Sequence, residues 1–332
     1  MSKYVPKGIA QQVSAIGDKI PTAVLRIIQR YFTHLENRAD IRIDVDYLNR
    51  KIARYTKKKS NRSRALTDQF NRFKASLTRN QTGCWHRPTV SLFSTKTGRD
   101  TASGQALNFI PKHYWQGLLS PPEGYCYVLL DYSQQEPMIA AFKANCSKLL
   151  EKYEKGDIYE YLINKVTNGK LKRVMFKRLM LMRLYGASTK RIAKELYKSE
   201  SEVKQWLISL KQAIDPVDYY LDGEVFKAKR KGELNSLDWR MIITEETKDL
   251  TMRNWPIQAA GADIMRRACF NLDKVNIPVL LTNHDSFLVQ LEKDNLDHQL
   301  QLANQALTDA SAEVLDGFQL KVKVEMQLPS KR

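Results

Sequence analysis

Apolar positions recur every three or four residues through Thr22–Glu36, at Leu25, Ile28, Tyr31, Phe32 and Leu35, which predicts an amphipathic helix. A second helix is expected over Asp44–Tyr55, capped by Asp44 or Asp46. Pro121-Pro122-Glu123-Gly124 reads as a turn and opens an apolar strand, Tyr125–Leu130, that ends at Asp131. The stretches from Asp157 onward, Leu171–Tyr185, Thr189–Ile214 and Ala260–Val275 carry mostly helical patterns. Pro278–Asn283 and Phe287–Leu291 are β-rich runs flanking His284-Asp285-Ser286, the pattern of a hairpin. Phe318–Met326 alternates strictly. Phe318, Leu320, Val322, Val324 and Met326 share one face, and Lys321, Lys323 and Glu325 the other, as in a strand with one wet side. Helices inserted between strands that return late to one sheet predict an α+β protein with a discontinuous sheet domain.

Charge narrows the partner class. The 332 residues hold 54 Lys+Arg against 36 Asp+Glu, a formal charge of +18, which favours a polyanion over a merely basic surface. The excess is clustered. Lys57, Lys58, Lys59, Arg62 and Arg64 belong to a stretch, Arg50 to Arg99, whose only acid is Asp68. Lys170, Lys172, Arg173, Lys177, Arg178 and Arg183 form a second cluster, and Lys227, Lys229, Arg230 and Lys231 a third. Such clusters neutralise phosphates, or else line solvated helix faces. No apolar run reaches the ~20 residues of a membrane span, so no membrane partner is expected. The N-terminus lacks the apolar core of a signal peptide. Cys84, Cys126, Cys146 and Cys269 lie far apart, unlike a zinc site or a disulfide framework. They suit a reduced cytoplasmic setting, in a bacterium or a phage-infected host.

Two carboxylates stand out by position. Asp131 ends a buried strand and Asp285 sits at a hairpin tip. Each alone reads as a turn or cap residue. Together they can share Mg²⁺, a hard cation suited to carboxylate oxygen. Arg173, Lys177, Leu181 and Tyr185 recur every fourth residue on one helical face. Two cations there can grip a triphosphate and the terminal aromatic can stack on a base; a basic amphipathic helix is the alternative.

Three segments resemble the motifs of the family A (polymerase I-type) DNA polymerases. LLDYSQQEPMIAA resembles motif A (DYSQIELR), RVMFKRLMLMRLYGAS motif B (RxxxKxxxFxxxYG), and LLTNHDSFLVQL motif C, the HDE hairpin. TKTGRDTASGQALNFIP, GDIYEYL, RNWPIQAAGADIMRRA and HLENRADIRIDVDYLNRKI match further family elements in the right order. The resemblance covers roughly residues 25–332 and is nearest to the short, divergent polymerases of phages, plasmids and integrated elements. It implies a right-hand polymerase fold: an antiparallel-sheet palm (91–150 and 250–332), helical fingers (151–249) and, within 1–90, N-terminal helices and a reduced helical thumb.

The implied activity is template-directed addition of deoxynucleotides to a primer 3′ end, using two Mg²⁺ ions with Mn²⁺ as a substitute. The partners are primer-template DNA and dNTPs. The start near the thumb implies no proofreading exonuclease or 5′-nuclease domain, with a separate exonuclease or processivity subunit as a further partner. By the same resemblance Asp131, Asp285 and the Tyr132 carbonyl hold metal. Arg173 and Lys177 bind the triphosphate, Lys177 acting also near the leaving group. Tyr159 stands where the family has a phosphate-binding histidine. Tyr185 stacks in the insertion pocket, Glu136 packs against it to exclude a ribose 2′-OH, and Gln134 lines the nucleotide site. Arg99, Gln258 and His284 contact primer or template, and the thumb run Lys57, Lys58, Lys59, Arg62 and Arg64 holds duplex backbone. Ser286 replaces the usual Glu of motif C, and Leu181 an aromatic of motif B. A single-subunit RNA polymerase and an inactive nucleic-acid-binding remnant are the competing readings. Glu136 argues against the first and the intact Asp131, Asp285, Arg173 and Lys177 set against the second.

Overall fold

Two stretches of chain far apart in sequence meet in one antiparallel sheet. In the computed structural model, which describes residues 22–330, the strand Tyr125–Tyr132 lies between Ser286–Glu292 and Val322–Pro329, antiparallel to both. Val279–Asn283 completes the sheet as the other arm of the 279–292 hairpin. Cys126 through Leu130 are all buried, as expected for a central strand covered on both faces. The strand runs two residues beyond the expected end, carrying Asp131 and Tyr132 within it.

The chain divides into two compact units, 1–133 with 264–313 and 321–332, and 134–263 with 314–320. The first holds this sheet. It also holds the expected helix Thr22–Glu36, whose side chains at 22–25, Leu25 among them, lie outside the described residues. Helix Val45–Thr56 starts as predicted, because the Asp44 carboxylate accepts the Tyr47 N–H at 2.7 Å. It pairs with helix Asn61–Ala75, and Leu48, Phe70 and Phe73 from the two enter the same core as Trp115, Tyr127, Leu129 and Leu288 from and around the sheet. Gly117 permits the close approach of the Tyr47 ring, which a side chain there would overlap.

The second unit is mainly helical. The expected helical stretch 189–214 is built as two helices, Thr189–Leu196 and Glu200–Ala213, because Tyr197 turns left-handed (φ 54°) and Ser199 opens the next helix with a capping box. The helix expected from Ala260 begins eleven residues earlier, at Asp249, and passes through Pro256. A proline there removes one helical hydrogen bond. Met252, Trp255 and Ala259 pack with Ala228, Leu234 and Met241, and that burial outweighs the break.

The alternating segment near the C-terminus differs from its expected form. The strand is Val322–Pro329, so Phe318 and Leu320 precede it. Its pairing shifts between Val324 and Met326, a bulge that breaks the two-residue alternation. As an edge strand it leaves Val324 49% exposed, where the sequence pattern places it inward.

Candidate active site

Asp131 is set by pairing on both sides. Its cross-strand partner in one neighbour is Ser286 and in the other Lys323. Asp285 lies one residue from Ser286, in a two-residue turn that His284 enters with φ 54°. The Tyr132 N–H donates to the Asp285 carbonyl at 3.0 Å, which fixes the turn against the end of the central strand. The two aspartates, distant in sequence, are therefore neighbours on one sheet end. Tyr132 is buried, its hydroxyl donating to the Leu307 carbonyl at 2.6 Å. Ser286 is buried too and donates to the Asn283 carbonyl at 2.9 Å, so it braces the hairpin.

The sequence reading placed Lys323 only on a wet face. Its Nζ lies 3.2 Å from Asp131 Oδ1. The cross-strand register that brings them together has no local signal in the sequence.

Arg99 follows a tight turn in which its N–H donates to Thr95 Oγ1 at 2.9 Å and the Gly98 N–H to the Thr95 carbonyl at 3.0 Å. His284 is exposed at the hairpin tip. Lys57, Lys58, Lys59, Arg62 and Arg64 are all exposed around the connection between helices Val45–Thr56 and Asn61–Ala75.

In the second unit, helix Arg173–Leu184 buries Phe176, Leu179, Met180 and Leu184. The predicted face is the other one: Arg173, Leu181 and Tyr185 are half-buried and Lys177 is exposed. Tyr185 is the helix C-cap. The Ala187 N–H reaches the Met182 carbonyl and the Gly186 N–H the Arg183 carbonyl, a Schellman ending that requires the left-handed Gly186 (φ 67°).

Asp157, which the sequence reading passed over, organises this face. One carboxylate oxygen caps helix Ile158–Thr167 by accepting the Tyr159 N–H at 2.7 Å, and the other accepts Arg173 Nε at 2.7 Å. The Arg173 guanidinium also lies 5.3 Å from the centre of the Tyr159 ring, and Tyr159 is buried. Gln134 Oε1 accepts the Ile158 N–H at 3.0 Å, tying the left-handed start of helix Gln135–Lys143 to the same cap. Glu136 is half-buried in the first turn of that helix, and Gln258 is half-buried on Asp249–Lys274.

Not every cation of the second cluster faces outward to a ligand. Arg183 pairs with the buried Asp218 at 2.7 Å, and Arg178 lies 3.4 Å from Glu195. His86 is a buried strand residue packed on Phe73, with ring centres 4.9 Å apart.

The donor set around Asp131 and Asp285 is all oxygen. Among the described residues no group of three or more His, Cys, Asp or Glu side chains is placed to hold a metal. Two carboxylates with a nearby carbonyl fit Mg²⁺, which keeps several waters and takes its remaining ligands from substrate phosphates. Among the described residues no helix is long and apolar enough to cross a membrane.

The model of DNA polymerase family A matches residues 35–330. The thermostable DNA polymerase I of Thermus thermophilus is 25% identical over 262 residues, 71% of this chain and 31% of the relative. DNA polymerase I of Aquifex aeolicus is 26% identical over 261 residues, 71% of this chain and 44% of the relative. The chain thus spans less than half the length of these curated relatives. The POL domain of Pol1 from M. smegmatis, solved in complex with DNA primer-template and dNTP, superposes with a TM-score of 0.71 at 21% identity. That match covers 81% of this chain and 51% of the other, and it shows the expected α+β right-hand polymerase fold.

Proposed function

This chain belongs to DNA polymerase family A, and on that premise we propose that it is a template-directed DNA polymerase extending a primer 3′ end with deoxynucleotides. The observation that carries the reading is the convergence of Asp131 and Asp285 at one sheet end, through the Ser286–Asp131 pairing and the Tyr132–Asp285 hydrogen bond. A central strand holds Asp131 and a turn hydrogen-bonded to that strand's end holds Asp285, the fixed placement that a metal-dependent nucleotidyl transfer requires.

Asp131, Asp285 and the Tyr132 carbonyl would hold two Mg²⁺ ions, or Mn²⁺ in their place. When bound, the ions supply activation of the primer hydroxyl and stabilisation of the leaving pyrophosphate. Arg173 and Lys177 would bind the triphosphate, with Lys177 neutralising charge at the leaving group. Arg173 would exchange its Asp157 partner for phosphate oxygen. Tyr159 would act by supporting the Arg173 guanidinium from below, since its burial keeps it from the role of the family's histidine. Tyr185 would stack in the insertion pocket and Glu136 exclude a 2′-hydroxyl, with Gln134 and Leu181 shaping the same pocket. Arg99, Gln258 and His284 would contact primer or template, and Lys57, Lys58, Lys59, Arg62 and Arg64 the duplex backbone. In this reading residues 91–150 and 250–332 are palm, 151–249 fingers, and the thumb falls within 1–90. A separate exonuclease or processivity subunit would be a further partner, which co-purification from the native host tests.

Extension of a labelled primer on a DNA template with Mg²⁺ tests the whole. Template-dependent addition of dNTPs, abolished in Asp131→Ala and Asp285→Ala, is the expected result. Preference for rNTPs, or no extension despite duplex binding, overturns it.

A further inference from the structure

Asp131 has an unusual pair of flanking neighbours for a residue read as a metal ligand. On one side is Ser286, a neutral hydroxyl already engaged with the Asn283 carbonyl. On the other is Lys323, whose ammonium stands 3.2 Å from Asp131 Oδ1. The Asp131 side chain is only 14% exposed, whereas Lys323, on the edge strand, is 52% exposed. The carboxylate is held in place and the lysine head is free to leave toward solvent.

We propose that Lys323 is a positioning residue that pairs with Asp131 in the nucleotide-free protein and weakens the affinity of the aspartate pair for a divalent cation. The proposal rests on the polymerase reading above. An ammonium on Oδ1 occupies a site that a cation would use, and its charge repels a dication a few ångströms away. Loading a metal therefore requires Lys323 to swing off the strand edge, a side-chain movement alone. A triphosphate brings both extra oxygen ligands and negative charge, so the structure couples metal loading to nucleotide arrival. Ser286 contributes by leaving the pair without a third carboxylate to offset the lysine.

The test is Mn²⁺ binding to the full chain without DNA or nucleotide, read from the electron paramagnetic resonance signal of free Mn²⁺. Lys323→Met and Lys323→Gln are expected to tighten binding about five- to tenfold, Lys323→Arg to stay near the original affinity, and Asp131→Asn with Asp285→Asn to weaken it. Circular dichroism melts confirm that each variant folds. On the unaltered protein, Mn²⁺ is expected to raise acetylation of Lys323 by acetic anhydride severalfold, read by mass spectrometry. Unchanged affinity in the Met and Gln variants, or unchanged acetylation, overturns the role of Lys323 while the weakened double-Asn variant leaves the metal pair standing. Undiminished binding in the double-Asn variant overturns the metal pair itself and this proposal with it.

Discussion

Arg183 donates to the carboxylate of Asp218 at 2.7 Å, from the same helix that carries Arg173 and Lys177. Arg253 pairs with the other oxygen of the same carboxylate and with Asp222. One buried aspartate thus joins three helices of the second unit, and a cation that looks like part of a phosphate-binding cluster is held in a structural ion pair instead.

Removing that aspartate leaves two guanidiniums without their shared partner. Asp218 is 3% exposed, so solvent cannot replace it. Asp218→Ala is expected to lose about 3 kcal/mol of stability, the usual size for breaking a buried pair from one side. Urea denaturation gives the value; a loss below about 1 kcal/mol would mean that the pair behaves as a surface bridge.

Acid acts through a different residue. His86 Nε2 accepts the Leu107 N–H at 3.2 Å, and burial pushes its pKa down to about 4. The unfolded chain takes this proton near pH 6.5, the folded chain only near pH 4. The unfolded state therefore binds more protons between those values, and stability present above about pH 6.5 drains away as pH falls through the window. Linkage puts the loss from this residue at about 2 kcal/mol between pH 7 and pH 5. His86→Gln does not titrate, so its decline over that range is expected to be smaller by about that amount. Equal declines in urea melts at pH 7, 6 and 5 would exclude His86 as the acid-sensitive group.

The two helix cations are expected to divide their work. Lys177 is exposed and has no ion-pair partner among the described residues, whereas Arg173 begins on Asp157. Arg173→Ala should raise the KM for dNTP about tenfold, since binding loses a charged contact. Lys177→Ala should lower kcat about 10²-fold, the size of losing one donor to charge that develops at the leaving group. Single-nucleotide incorporation kinetics separate the two, and an undiminished kcat in Lys177→Ala would remove it from the chemistry.

Glu136→Ala tests sugar selection. The side chain sits half-buried in the first turn of its helix, where a carboxylate can exclude a 2′-hydroxyl by bulk. Incorporation of rNTP relative to dNTP is expected to rise at least about tenfold. An unchanged ratio would assign discrimination to another residue, Leu181 being the nearest candidate on the motif helix.

What could be read in the sequence follows from how local each signal is. Helix Thr22–Glu36, the Asp44 cap, the 279–292 hairpin and the strand leading to Asp131 are encoded within a few residues of themselves. The spacing of Arg173, Lys177, Leu181 and Tyr185 likewise fixes their shared face wherever the helix packs. Lys323 beside Asp131 depends on strand register across 192 positions and on a bulge that no residue pattern announces. The face of Val324 was misread for the same reason. Arg183 looked like its neighbours because its partner, Asp218, lies 35 residues away on another helix. Trp255 and Pro256 fall outside the periodic pattern that begins at Ala260, because the tertiary packing that overrides the proline is invisible to local propensity.

Gly186 joins local and tertiary constraints at one position, and its replacement can separate them. Its φ of 67° completes the Schellman ending that places Tyr185, and a Cβ there would overlap Leu250 Cδ2. A non-glycine residue in this conformation costs about 1 kcal/mol, and turning the half-exposed Leu250 side chain aside up to about 1 kcal/mol more. Gly186→Ala should therefore destabilise by up to about 2 kcal/mol. Leu250 is 47% exposed, so Leu250→Ala alone should cost little. If both terms operate, the double variant recovers up to about 1 kcal/mol relative to Gly186→Ala, the part owed to overlap, and keeps the backbone part. Urea melts of the four proteins close the cycle. Strict additivity would show that Leu250 moves aside freely, leaving the backbone as the sole reason for glycine after Tyr185.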